Sequence, residues 1–219
     1  AVSPGFINMN SMSDRSLQLD GRSMSDIKQG VTLEVMGEGW SAGPVKRNQK
    51  QPVDSLWTTL DGYFKWLMKK GVSTNVASFV GGTNIRNYAL AYENRQPTTA
   101  ELSQMKGLVL QAMEDGAMGL STSLIYAPAN YASTVEIIEL AKVAKANGGI
   151  YITHMRSESD NILQALNETF LIATEAGIAT EIYHLKINHD RNWKKIETVA
   201  AKIDSAQKAG LKITANMYP

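Results

Sequence analysis

Seven short apolar runs alternate with helical patterns along almost the whole 219-residue chain, and that alternation limits the folds open to it. A brief run rich in β-branched and aromatic residues, closed by glycine or polar residues, reads as a strand buried on both faces. The strands expected are Pro4–Asn10, Val31–Met36, Asn75–Val80, Ala117–Ile125, Tyr151–His154, Glu181–His184 and Leu211–Met217. Helical periodicity predicts helices over Ser55–Lys70, Thr99–Glu114, Thr134–Asn147, Asn161–Ala176 and Lys194–Ala209, with a short one over Ser25–Gly30. Thr98 or Thr99 caps the second long helix, and Gly148 and Gly210 stop two others.

Strand–helix alternation without a break requires a parallel sheet with right-handed crossovers. An open doubly wound sheet satisfies it. A (β/α)8 barrel of the α/β class is preferred, because polar residues follow several successive strands instead of clustering at one switch point. The expectation is a single domain over residues 1–219, a partial barrel of about seven strands whose eighth lies beyond Pro219. Ser11–Asp14 reads as the loop after the first strand, Ala42–Pro52 as a polar, basic surface excursion, and Gly81-Gly82 as the end of the third strand.

Two of the runs end in histidine. Tyr151-Ile152-Thr153-His154 is followed by Met155-Arg156-Ser157-Glu158, and Glu181-Ile182-Tyr183-His184 by Leu185-Lys186. One helical stretch separates them. Strand, helix, strand therefore places both imidazoles at the same end of neighbouring strands, where they suit a shared metal ion. The competing reading of each is a hydrogen-bonded structural histidine. Glu38, between Gly37 and Gly39, is either a third ligand or a solvated loop carboxylate. Arg156 and Glu158 read mainly as a charged pair in a rim network, and His189, beside Asp190 and Arg191, as surface loop. Gly81-Gly82 is no phosphate loop, since no Gly-Lys-Ser/Thr follows.

Composition removes several classes. A formal net charge of +1, with no basic stripe, gives no footing for a nucleic-acid partner. The absence of cysteine removes disulfides and thiolate ligands, and fits a reducing or an oxidising compartment equally. No apolar run approaches the ~18–20 residues of a membrane span, so no membrane partner is expected. With no signal peptide visible, the expected location is cytoplasmic.

Pro4-Gly5-Phe6-Ile7, Gly30-Val31-Thr32, Thr153-His154-Met155-Arg156-Ser157-Glu158, His184-Leu185-Lys186 and Tyr218-Pro219, in this order and spacing, resemble the amidohydrolase superfamily. Within it they are most similar to the N-acyl-D-amino-acid deacylases. The resemblance implies zinc-dependent hydrolysis of an N-acyl amide, with a small-molecule N-acyl amino acid as partner. It also implies a flanking small β-domain and a chain about twice as long. His154 and His184 fall on the family's ligands, Lys186 on a lysine that holds the substrate carboxylate, and Tyr126 and Tyr218 on tyrosines of the site. The family's Asp-x-His-x-His is replaced by Asn8-Met9-Asn10-Ser11-Met12, and its metal-binding cysteine falls at Gly39. The expected metal set is therefore His154, His184 and Glu38 around one Zn2+. The general-base aspartate of the family has no counterpart in this chain. Two rival readings stand beside this one. A cyclic-amide hydrolase would carry a lysine on the fourth strand, which this chain lacks there. A barrel that has lost its metals would be a binding protein.

Overall fold

The computed structural model describes residues 2–46 and 57–218. In chain order the elements are β1 (Phe6–Asn8), α1 (Ser16–Leu19), α2 (Met24–Lys28), β2 (Val31–Met36), α3 (Leu60–Lys70), β3 (Asn75–Ser78), β4 (Val80–Gly81), α4 (Gly82–Leu90), α5 (Thr99–Glu114), β5 (Gly119–Ser123), α6 (Thr134–Ala146), β6 (Ile150–His154), α7 (Ile162–Ala176), β7 (Thr180–Ile182), α8 (Ile196–Lys208) and β8 (Ile213–Ala215). Every strand pairing is parallel, and spatial order follows chain order: β1-β2-β3 in one sheet, β4-β5-β6-β7-β8 in the other. β3 and β4 are two halves of one strand interrupted at Phe79. The Phe79 N–H donates to the Met36 carbonyl at 2.9 Å, and the Met118 N–H donates to the Ser78 carbonyl at 2.9 Å. Those two bonds carry the ladder across the interruption, so the sheets form one wall of a partial α/β barrel. Among the described residues β1 pairs only with β2, and β8 only with β7.

Side chains alternate across this wall. Val35 joins Phe79, Ile152 and Tyr183 in one buried cluster on its inner face. Its neighbour Met36 points the other way and packs with Leu60, Tyr63 and Leu67 in the layer between strands and helices. Three of the helices, α3, α5 and α6, are capped at their starts by a side chain, Thr59, Thr98 and Ser133. Thr98 and Glu101 close a capping box on α5, which settles the cap at Thr98. Ser133 accepts from the Glu136 N–H at the start of α6, and Gly177, with φ 61°, ends α7.

Several sequence expectations are corrected. α4 was not expected; its first turns bury Thr83, Asn84 and Arg86 beside Ile85, which hides the apolar stripe that marks a helix. Ala42–Val45 is not a surface excursion: Ala42 and Val45 are buried, and the Trp57 indole donates to the Ala42 carbonyl at 3.0 Å. Residues 47–52 of that expected excursion lie outside the described residues, as do Ser55 and Leu56 of the helix expected from Ser55; its described part starts at Leu60. Ser11–Asp14 is the expected loop, and within it Ser11 is buried, donating to the buried Glu34 carboxylate at 2.8 Å. The first, fourth and seventh expected strands are shorter than the apolar runs that announced them.

Candidate metal centre

Each functional side chain is placed by a backbone feature that its sequence dictates. His154 is the last residue of β6 and pairs with Ser123 at the end of β5. His184 follows β7 by two residues with φ +34°, a region that costs a non-glycine residue about 1–3 kcal/mol. Asn216 holds it there: its Oδ1 accepts the His184 N–H at 2.7 Å, and its carbonyl accepts the Leu185 N–H at 2.8 Å. Glu38 sits on the turn after β2. Gly39 has φ +65°, the Ser121 hydroxyl donates to the Gly37 carbonyl, and the Gly39 N–H donates back to Ser121 Oγ at 3.1 Å. The Thr83 N–H, from the first turn of α4, bonds the Gly39 carbonyl at 3.0 Å.

These three elements converge. Glu38 Oε1 lies 2.8 Å from His154 Nδ1 and 3.1 Å from His184 Nε2. One ligand atom from each of the three residues falls within 4.8 Å of the others. The imidazoles stand edge to face, with centroids 4.4 Å apart. Zinc–ligand distances of about 2.0–2.2 Å require these atoms to draw apart only slightly from hydrogen-bond spacing, and one carboxylate oxygen with two imidazole nitrogens is an ordinary zinc set. The residues present fit the ion.

A second carboxylate lies behind the imidazoles. Glu158 Oε1 is 3.1 Å from His184 Nδ1, 3.5 Å from His154 Nε2 and 2.6 Å from the Lys186 ammonium. Burial pushes the Glu38 carboxyl up, but hydrogen bonds from His154, His184 and Asn10 outweigh it and hold the group well below the usual range. Burial likewise opposes the charge on His184, yet its bonds to Glu158 and Glu38 raise it to about 9. Glu158 is lowered: its burial is overcome by His184 and Lys186.

The expected residues fall as follows. His154, His184 and Glu38 come together. Lys186 reaches the same cluster, bonded to Glu158. Tyr126 is exposed, its ring edge-on to His154 at 5.5 Å between centroids. Tyr218 is exposed with its ring 5.9 Å from the Lys186 ammonium. His189 is on the surface. Arg156 is structural, forked onto Glu168 at 2.8 and 2.9 Å and bonded to the carbonyls of Asn130 and Ala132. Glu158 departs from the rim reading, because it is 95 % buried inside the site. Its position four residues after His154 was the available signal. Asn10, which stands where the family has histidine, donates its amide to Glu38 Oε2 at 2.9 Å.

The cysteine that the resemblance places at Gly39 has no room. A Cβ built there meets Ser123 Cβ at 2.4 Å and the Ser123 N at 3.1 Å, in a backbone region unfavourable to L-residues. Gly39→Cys is expected to lower stability by more than about 2 kcal/mol and to weaken zinc binding by displacing Glu38, although thiolate is an excellent zinc ligand. Chemical denaturation and zinc titration of the variant check this; a stable variant with tighter zinc binding would contradict it.

No protein-family model matches the chain. D-aminoacylase of Alcaligenes xylosoxydans xylosoxydans is 35 % identical over 228 residues, covering all of this chain and 47 % of that protein. N-acyl-D-glutamate deacylase of the same organism is 32 % identical, covering all of this chain and 46 % of that protein. The chain thus spans about half the length of the curated relatives it matches. A crystal structure of D-aminoacylase superposes with a TM-score of 0.91 at 34 % identity over 99 % of this chain and 48 % of that one. N-acyl-D-glutamate deacylase from Bordetella bronchiseptica, solved with zinc and a phosphonate inhibitor mimicking a tetrahedral intermediate, superposes with a TM-score of 0.91 at 30 % identity over 99 % of this chain and 47 % of that one. For D-aminoacylase, one-metal activation and second-metal attenuation are described.

Proposed function

Because the chain belongs to the amidohydrolase superfamily, in the family of D-aminoacylase and the N-acyl-D-amino-acid deacylases, we propose that the protein carrying it is a zinc-dependent N-acyl-D-amino-acid deacylase. The observation that carries this is the convergence of Glu38 Oε1, His154 Nδ1 and His184 Nε2 at the carboxyl ends of β2, β6 and β7. Zinc, when bound there, supplies Lewis-acid polarisation of the amide carbonyl and an activated water. This chain's residues hold the ion and orient the substrate. Lys186 presents three N–H donors that Glu158 does not exhaust, and it faces the substrate carboxylate as a point charge. Tyr218 stands beside that ammonium, and Tyr126 covers His154 from the solvent side. The general base of the family has no counterpart in residues 1–219, so turnover is assigned to the longer protein and ion binding to these residues.

Two features support a single ion. The carboxamide N–H of Asn10 occupies Glu38 Oε2, where a second cation would need a lone pair. On the far side of the imidazoles the Lys186 ammonium already faces Glu158 Oε1 and His184 Nδ1, at 2.6 and 3.1 Å. β5 carries Gly-Leu-Ser-Thr-Ser and no lysine, which disfavours the cyclic-amide reading. The full-length protein is expected to take up one zinc per chain, to be insensitive to a second equivalent, and to hydrolyse N-acyl-D-amino acids but not their L-enantiomers. Metal analysis, a zinc titration of activity and a panel of N-acyl-D and N-acyl-L substrates test this. A folded protein that binds no metal would return the barrel to the binding-protein reading.

A further inference from the structure

We propose that Glu158 is the positioning residue of this centre, one buried carboxylate that fixes the ring orientation and tautomer of both histidines and the place of Lys186. The inference rests on the metal-centre reading and adds a role to a residue outside the ligand set.

The geometry is that of a carboxylate shared by two rings. Glu38 and Glu158 lie on opposite sides of the imidazole pair. Glu38 Oε1 meets His154 through Nδ1 and His184 through Nε2. Glu158 Oε1 meets the other nitrogen of each, His184 Nδ1 at 3.1 Å and His154 Nε2 at 3.5 Å. An ionised carboxylate only accepts. Zinc held between Glu38 and the rings would take the lone pairs of His154 Nδ1 and His184 Nε2, so each ring would then turn its remaining N–H toward Glu158, and the two rings would be opposite tautomers: Nε2–H on His154 and Nδ1–H on His184. His154 Nε2 is buried and has no hydrogen-bond partner among the described residues. Glu158 is the acceptor it faces, and a slight closing of that gap satisfies it.

Glu158 is itself held rigidly. The Asn188 side chain donates to Oε2 at 3.2 Å, and the Asn188 N–H donates to the Glu158 carbonyl at 2.7 Å. The loop after β6 is thereby tied to the loop after β7 at the residue that orients a ligand from each. A carboxylate behind a ligating imidazole fixes its tautomer and raises its basicity; here a single carboxylate does so for two rings.

The test compares the full-length wild-type protein with Glu158→Gln, a change that keeps size and removes the charge. Both are stripped of metal, titrated with zinc by calorimetry, and examined by 15N spectroscopy of the histidine rings. In the zinc-loaded wild type one histidine is expected to be ligated through Nδ1 with its proton on Nε2, and the other the reverse. Glu158→Gln is expected to bind zinc about 10–100-fold more weakly and to shift the ring-nitrogen signals of the zinc-loaded protein. Equal zinc affinity with unchanged ring signals overturns the proposal. Should the variant fail to fold, the wild-type spectrum decides: both ligating rings protonated on the same nitrogen overturns it. Zinc failing to bind the wild type removes the metal-centre reading and this inference with it, whereas equal binding by wild type and variant removes this inference alone.

Discussion

Alanine at His154 or at His184 is expected to empty the metal centre of the full-length protein and to abolish turnover. A hydrolytic zinc site uses three protein ligands and keeps one position for water. Each variant leaves two, one of them the Glu38 carboxylate. The loss in affinity should exceed the ~10–100-fold that removing a mere outer partner of a ligand costs. There is a structural cost as well. Glu38 is buried, and the hydrogen bonds of the two imidazoles are the main forces holding its carboxyl low. Removing either ring leaves the burial and deletes part of the compensation, so the carboxyl moves up and loses value as an anionic ligand. The zinc-free variants should also lose about 1–3 kcal/mol, the usual cost of stripping a charged group of a hydrogen bond. Metal content after dialysis, with circular dichroism to confirm the fold, decides the matter. A folded His184→Ala protein that keeps stoichiometric zinc would remove His184 from the ligand set.

The two histidines were legible because their strands are. Tyr151-Ile152-Thr153 lies in the buried parallel strand β6 and Glu181-Ile182 in β7 with the buried Tyr183 directly after it, and a histidine closing such a run has one end of the barrel to face. Glu38 was legible only as one of two readings. A carboxylate between two glycines looks solvated until the staple of Ser121 onto the Gly37–Gly39 turn is seen, and that contact spans 82 and 84 positions of sequence. Glu158 was read mainly as a rim residue for the same reason: its partners Lys186 and Asn188 sit on the next loop. Periodicity reports which face is apolar, so it missed α4, whose buried face is built partly from Thr83, Asn84 and Arg86. It misjudged Ala42–Val45 because burial there comes from Trp57 and the neighbouring turn, with no regular element to announce it. The substitutions at Asn10 and Gly39 were visible against the family pattern. That Asn10 bonds Glu38 was not.

The largest stability effect is expected at Arg86, the residue that concealed α4. Arg86 Nη1 donates to Glu136 Oε2 at 2.6 Å, with side chains 1 % and 2 % exposed. Its Nη2 donates to the carbonyls of Arg95 at 2.6 Å and Glu93 at 3.2 Å. Breaking a buried pair from one side leaves a charge without a partner and costs about 3–5 kcal/mol, whereas replacing both partners by apolar residues is often close to neutral. Arg86→Met is therefore expected to destabilise by about 3–5 kcal/mol, more than Glu136→Gln, because it also strands two carbonyls. The double variant Arg86→Met/Glu136→Leu should recover part of the loss, and urea denaturation of the wild type, Arg86→Met, Glu136→Leu and the double variant reads the coupling. The effect should depend on pH with a definite sign. Burial raises the Glu136 carboxyl against the pull of Arg86, so losing Arg86 raises it further. An acid raised on folding contributes stability that is present below its unfolded value and lost as pH rises through its folded value. The deficit of Arg86→Met should then shrink as pH falls toward 4.5, the ordinary value for this carboxyl. A deficit independent of pH, or additive single variants, would show that the pair is not what holds α4. The consequence reaches the metal, since Thr83, in the first turn of α4, carries the N–H that fixes the Gly39 carbonyl beside Glu38. Loosening α4 frees the loop that presents Glu38, so under the proposed ligand set Arg86→Met should also weaken zinc binding although no atom of Arg86 takes part in the site.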